Sequence, residues 1–227
     1  MEFKNIVSDW QKRFPILSQY TSSTLYAKAG IILIGLRLDK VMSDTYRVIL
    51  EILPLWVPEK RMISIPVFFV ELFHKDGRQF FIEYQLHKHL FDAAAECANQ
   101  QFALILQENI RVNDIFRFIN SFSSTLIPKH NPVDWHRLFE LKLALAFYLG
   151  EANLIDTIKA EIENETKYWN EKDFNRIFMK SIEEWKIDLY QKMENREMFM
   201  KQVQLNLDDK KISKLKRIHI LSVHDGI

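Results

Sequence analysis

The sequence predicts an α+β fold with an N-terminal helix, a four-stranded antiparallel meander and a C-terminal helical half. Patterns typical of strands are confined to residues 29–89. Within them, Asp76–Gly77 separates two apolar runs, as in a β-hairpin. From about residue 90 onward, apolar residues recur at helical spacing. Strands that precede helices, instead of alternating with them, favour α+β over α/β.

The first predicted element is an amphipathic helix over residues 2–14, which Pro15 ends. Two β-branched segments follow, AGIILIGLRL (29–38) and TYRVILEIL (45–53), each short enough for a strand. The nearly all-apolar segment 62–73 is typical of a third strand covered on both faces.

The fourth strand is predicted from the hairpin LFHKDGRQFFIEY. A two-residue turn at Asp76–Gly77 would place Phe73 opposite Phe80 and Glu71 opposite Ile82. We expect this strand to run over residues 79–89, so that His87 and His89 point to the same side.

The pair His87 and His89 is the nearest approach to a metal-binding motif. Residues i and i+2 of a strand can share one ion, but a site needs a third protein ligand. His74 lies at the other end of the hairpin and cannot supply it. We therefore predict no metal and a solvated sheet face at this pair.

The rest of the chain is predicted to form five or six helices. One begins near residue 90 and another near residue 112, and segments 134–150 and 152–169 form a helical hairpin. A long helix is predicted to start at NEKD, residues 170–173, and to continue past Trp185. The basic tail, residues 208–221, is predicted to add one more short helix.

These elements divide the chain into a helix-plus-sheet region, residues 1–89, and a helical region, residues 90–227. We expect the two regions to share one core. The apolar segment 62–73 needs cover on both faces, and within the first region only the N-terminal helix is available to cover it.

Composition narrows the function classes. The chain has 31 basic and 30 acidic residues, so no excess of positive charge attracts nucleic acid. The single cysteine, Cys97, allows neither an intramolecular disulfide nor a multi-cysteine zinc site. The N-terminus does not have the pattern of a signal peptide, and the apolar runs are too short to span a bilayer. We expect a cytoplasmic chain that does not insert into membranes; the sequence does not predict its oligomeric state.

No motif in the sequence assigns an enzyme activity. Neither a glycine-rich phosphate loop nor a Gly-x-Ser-x-Gly elbow is present. We predict no catalytic residue, no metal and no cofactor. The favoured hypothesis is a protein that binds another protein and acts by occlusion or scaffolding. The alternative is an enzyme with a cleft between sheet and helices, which would use Glu83, His87 or Asp134.

The binding hypothesis has candidate contact residues. Tryptophan is over-represented at interface hot spots, and three tryptophans are spread over three of the predicted helices. With two polar residues of the fourth strand, the candidates are Trp135, Trp169, Trp185, Glu83 and His87.

The segment YAKAGIILIGLRLDKVMSDTYRVILEILPLW, residues 26–56, resembles small bacterial cytosolic proteins, some of which are immunity partners of toxins. The likeness is one of strand pattern, and no functional residue is carried over from it. It implies a toxin-immunity or adaptor protein as the specific form of the binding hypothesis.

Overall fold

The computed structural model describes residues 2–58, 63–126 and 130–222. An N-terminal helix precedes a curled, mostly antiparallel sheet and a largely helical second half, which confirms the predicted α+β class. The helices are α1 (Phe3–Arg13), α2 (His87–Gln101), α3 (Val112–Leu126), α4 (Pro132–Leu149), α5 (Ala152–Thr166), α6 (Glu171–Phe178), α7 (Ile182–Lys192) and α8 (Arg196–Leu207). The strands are β1 (Ser18–Gln19), β2 (Thr24–Ala29), β3 (Ile32–Lys40), β4 (Thr45–Pro54), β5 (Phe68–Glu71), β6 (Phe81–Glu83), β7 (Asn109–Arg111) and β8 (Arg217–Leu221). None of the described helices is both long and apolar enough to cross a membrane.

The main path of the sheet runs β5-β4-β3-β2-β8-β7. β1 also pairs with β2, and β6 also pairs with β4. The pairs from β1 to β6 are antiparallel, whereas β8 pairs in parallel with both β2 and β7. The last described strand therefore closes the sheet beside one of the first.

The segment 29–38, predicted as one strand, is divided by a tight turn. Gly30 has a φ of +54°, and Ala29 pairs with Ile32 across the turn. Glycine adopts this left-handed conformation without steric cost, so the chain can reverse inside an apolar run. Strand β2 was missed because no Asn-Gly or Asp-Gly signal marks this reversal.

The Asp76–Gly77 turn exists, with a φ of +83° at Gly77, but the predicted register is wrong. Phe73 pairs with Gln79, not with Phe80. Strands β5 and β6 do not pair with each other; they lie one after the other along β4, opposite 49–52 and 45–47. The ten-residue β4 offers an edge long enough for both, so each strand finds its ladder partners there.

The predicted strand 79–89 is also shorter than expected. β6 ends at Glu83, and His87 is the first residue of α2. Residues two apart on a helix do not face the same side, so the shared face predicted for His87 and His89 is wrong. The start of the third predicted strand, residue 62, lies outside the described residues.

The helical half departs from prediction at two places. The long helix predicted from Asn170 breaks at Met179, which has a φ of +56°, and Ser181 then caps α7 together with Glu184. The tail forms a short 3-10 turn, Ile212–Lys214, followed by strand β8 instead of a helix.

The sheet has two different faces. On the inner face, alternate side chains of β2 to β6 are buried against α1 and the second half of the chain; Phe68, for example, meets Phe118 of α3 edge to face. On the outer face, the intervening positions carry polar and aromatic side chains together with the buried aliphatic side chains of Leu33, Ile49 and Leu53. One cluster of buried hydrophobic side chains includes members from both the sheet and the helices. The buried side chain of Asn206 in α8 also forms hydrogen bonds to the segment after β4. It donates to the carbonyls of Leu55 and Val57, each at 2.8 Å.

Candidate functional site

Strand β5 lies at the edge of the sheet and exposes an aromatic side chain there. Phe68 and Val70 point to the inner face and are buried, whereas Phe69 points to the outer face and is 53% exposed. The N–H of Leu72 donates to the carbonyl of Val48 at 2.9 Å. Backbone groups alternate in direction along an antiparallel strand, so the N–H and C=O of Phe69 point away from β4. Nothing among the described residues forms a hydrogen bond with those two groups.

Farther along the same edge, the side chain of Gln101 forms hydrogen bonds with the outward backbone groups of β5 and the residues after it. The amide of Gln101 donates to the carbonyl of Glu71 at 2.7 Å and accepts from the N–H of Phe73 at 3.0 Å. Gln101 therefore covers the end of the edge, and Phe69 remains as its open part.

A hollow of about 360 Å³ borders this open edge. It lies between β5 and the helices α3 and α4. Its side chains include Phe69, Glu71, Phe122, Asp134 and Arg137. We call the hollow and these five residues the β5 edge site.

Arg137 supplies the β5 edge site with a guanidinium group that forms no ion pair with the described residues. Its half-buried side chain pairs with no carboxylate within the described parts of the chain. The two acidic residues of the site already have partners: Glu71 is bound by Arg47 at 2.5 Å, and Asp134 accepts from Asn131 at 2.9 Å. The guanidinium group is thus available to an external carboxylate.

A network of charged and polar residues crosses the outer face of the sheet and ends in this site. Two of its members, Tyr26 and Glu51, are buried, and Glu51 accepts from Tyr26 and from Arg37, each at 2.6 Å. Arg37 and Arg47 both contact Asp39, and Arg47 continues to Glu71. We call this set the outer-face network; it consists of Tyr26, Arg37, Asp39, Arg47, Glu51 and Glu71.

Within the outer-face network, burial and Glu51 determine the protonation state of Tyr26. Burial of the Tyr26 hydroxyl, and then the negative charge of Glu51, raise the pKa of Tyr26 well above its ordinary value. Tyr26 therefore stays a hydrogen-bond donor at neutral pH. A second hollow of about 340 Å³ lies over Tyr26, Arg37 and Glu51, but both carboxylate oxygens of Glu51 already accept hydrogen bonds.

His87 belongs to a different, buried network under the inner face. Its Nδ1 lies 2.8 Å from the hydroxyl of Tyr46, which accepts from Nε1 of Trp10 at 3.1 Å. The carboxylate of Asp9 faces Nε2 and favours the proton of neutral His87 there, so the Tyr46 hydroxyl donates to Nδ1. Nε2 lies 3.4 Å from Oδ2 of Asp9, without hydrogen-bond geometry to any described residue.

Burial lowers the pKa of His87, and nearby Asp9 opposes this effect without cancelling it. A carboxylate, an imidazole and a hydroxyl in this order are also the parts of a catalytic triad. Here the side chains of His87 and Tyr46 are buried in the core, and neither lines the hollows described above. The network therefore ties α1 and α2 to β4.

The structure separates the three residues of the enzyme hypothesis. Glu83 lies exposed on the outer face of β6, opposite Thr45, and His87 lies under the inner face. Asp134 lines the β5 edge site, which neither of the other two reaches.

The predicted tryptophans occupy two environments. Trp169 and Trp185 are buried, with ring centroids 5.3 Å apart, and both pack on Phe174. Trp135 is half-buried and lines a hollow of about 450 Å³ with His130 and Glu165. The role of these tryptophans in binding a partner stays a prediction.

Sequence reasoning missed Phe69 and Arg137. Both lie in segments whose pattern indicates core, and the exposed side of an almost entirely apolar strand cannot be read from alternation. The sequence does indicate the edge itself, since Pro66 predicts that the first part of segment 62–73 lies at an edge or a bulge. No group of three or more His, Cys, Asp or Glu side chains suited to a metal ion occurs among the described residues.

No protein-family model, curated protein or solved structure matches this chain.

Proposed function

We propose that this chain is a cytoplasmic protein that binds another protein, acts by occlusion or scaffolding, and makes its contact at the β5 edge site. The observation that carries the proposal is that one hollow is lined by the exposed ring of Phe69 and by the guanidinium of Arg137, which has no ion-pair partner among the described residues. Aromatic residues and arginine are enriched in protein interfaces and at their hot spots.

The surroundings of Phe69 also support an interface. Phe81 is 44% exposed on the same face of the sheet and lies opposite Arg47, and Glu71, the ion-pair partner of Arg47, lies between the two rings in the register of β4. Apolar anchors bordered by fixed charges are the arrangement that a polar rim around a buried contact requires. The charges select the partner, and the rings contribute most of the contact area.

A toxin-immunity or adaptor protein is the specific form that we propose. Such a protein acts by covering a surface of its partner, which needs a rigid exposed face and no chemistry of its own. The strand pattern of residues 26–56 supports this form, and the free Cys97 is in keeping with a reducing compartment.

The test compares two exposed apolar positions. Phe69→Ser changes the β5 edge site, and Leu205→Ser changes a side chain of α8 that is 59% exposed. Each tagged variant is purified from its native cell extract beside the wild type, and its thermal midpoint is measured. We expect Phe69→Ser to lose a specific co-purifying protein and to keep its midpoint, and Leu205→Ser to retain both.

Two results would overturn the proposal. One is the same set of co-purifying proteins for Phe69→Ser and the wild type. The other is turnover of a small molecule in a metabolite screen, abolished by Glu83→Gln or Asp134→Asn, which would establish the enzyme hypothesis instead.

A further inference from the structure

The structure also points to how the partner is held, an inference that rests on the proposed function. We propose that the partner presents an extended segment that adds a strand to the outer side of β5 and places an aspartate or glutamate side chain against Arg137.

The backbone of β5 is the first support. The outward N–H and C=O of Phe69 have no partner among the described residues, and an unpaired strand edge is a template for another strand. The open edge is short. Pro66 has no N–H at one end, and Gln101 occupies the carbonyl of Glu71 at the other. The added strand is therefore centred on Phe69.

Gln101 shows that this edge accepts the bonds of an added strand. Its amide donates to the carbonyl of Glu71 and accepts from the N–H of Phe73. A residue of a parallel strand opposite Leu72 would make the same two bonds. The side chain of Gln101 thus takes the place of one residue of an added strand. The neighbouring position along the edge, at Phe69, remains open.

The charge of Arg137 is the second support, and it selects the chemistry of the segment. Glu71 is paired with Arg47 and Asp134 accepts from Asn131, so among the described residues the guanidinium of Arg137 has no ion-pair partner and can pair with a carboxylate of the segment. A carboxylate can meet a guanidinium through two parallel hydrogen bonds, which strengthens the contact and fixes its geometry. A lysine at that position of the segment would be repelled.

The first arm of the test measures charge preference. A phage library of random octapeptides is selected on the full chain. We expect binding peptides to share one aspartate or glutamate among residues with high β-propensity. The selected peptide should bind Arg137→Glu about tenfold more weakly or worse, and replacing its acidic residue by lysine should restore binding to that variant.

The second arm measures the backbone contact. Adding the peptide should slow hydrogen exchange of the Phe69 amide. Phe69→Pro removes the outward N–H at an edge position where proline is tolerated, and Phe69→Ala removes the ring but keeps the N–H. We expect Phe69→Pro to bind the peptide about tenfold more weakly than Phe69→Ala at equal thermal midpoints.

Three results would overturn this inference: selection of no peptide or of lysine-rich peptides, unchanged exchange at Phe69, or equal binding by Phe69→Pro and Phe69→Ala. A dimer in light scattering that Phe69→Pro dissociates would also overturn it, because a second copy would then occupy the edge. If the peptide arm fails while co-purification still depends on the Phe69 ring, strand addition is wrong and the proposed function stands.

Discussion

Among single residues, His87 shows how burial sets a protonation state. Its folded pKa is lowered by burial, so the unfolded chain binds the proton more tightly. The stability that neutral His87 contributes is fully present above the unfolded pKa of about 6.5. It decreases as the pH falls from that value towards the folded pKa. Below the folded pKa it does not change further.

We therefore expect the unfolding free energy of the wild type to fall more than that of His87→Gln between about pH 7.5 and about pH 5. Denaturant titrations at both pH values measure the difference. The pKa of His136 is also lowered by burial, but His136 is present in both proteins and its effect cancels. Equal pH dependence of the two proteins would contradict a depressed pKa at His87.

Gly35 is the second residue with a sharp expectation. A Cβ atom there would lie 1.9 Å from the carbonyl oxygen of Leu25 and 2.8 Å from Tyr26. Because backbone cannot yield as a flexible side chain does, Gly35→Ala should lower the unfolding free energy by about 3 kcal/mol. Gly77→Ala is the control; no atom lies within 4 Å of its added Cβ, and only the strain of its φ remains, about 1–2 kcal/mol. Equal losses measured by denaturant unfolding would refute the packing argument.

The residues of the candidate site illustrate what a sequence leaves open. The outer-face network joins Tyr26, Glu51 and Glu71 from three strands. Its contacts depend on strand register, and a one-residue error in register moves each side chain to the other face. The sequence indicates that Glu71 and Glu83 lie within strands, but their partners follow only from the pairing of β5 and β6 with β4.

For the elements, local patterns succeeded where local forces decide the structure. Helix α4 ends at Gly150, which has a φ of +75°, and α6 begins at the Asn170 cap, both as predicted. Strand β8 was mistaken for a helix because its partners are distant in sequence: Lys28 pairs with Arg217. Pairing across the sheet overrides the helix propensity of a basic, lysine-rich segment.

The packing of α6 and α7 leads to a prediction for the tryptophans. Trp185 is buried against Trp169 and Phe174, so Trp185→Ala should lower the unfolding free energy by about 3 kcal/mol or more. Trp135 is only half-buried, and Trp135→Ala should cost less. Thermal midpoints and co-purification are measured together. A Trp185→Ala protein that keeps its midpoint but loses its partner would show that this tryptophan acts at an interface.

For the molecule as a whole, we predict that residues 1–89 and residues 90–227 share one core. This prediction has a thermodynamic consequence. Buried side chains of the sheet and the helices belong to one cluster, and Asn206 ties α8 to the segment after β4. We expect a single calorimetric transition with equal calorimetric and van't Hoff enthalpies. Two separate transitions, or a stably folded fragment of residues 1–90, would show that the halves fold independently.

The class of the fold followed from the order of its elements, whereas the curled sheet did not. The chain returns at β8 to lie beside β2, and β5 and β6 share β4. That arrangement leaves β5 at an edge of the sheet. The proposal that the chain binds another protein depends on this open edge.

The most direct test of that claim places a photo-crosslinking amino acid at position 69 in the cells that produce the protein. We predict one discrete, light-dependent adduct with another protein at position 69. The same amino acid at position 205, on exposed α8, should give none. No adduct at position 69, or the same adducts at both positions, would contradict the assignment of the β5 edge as the binding surface.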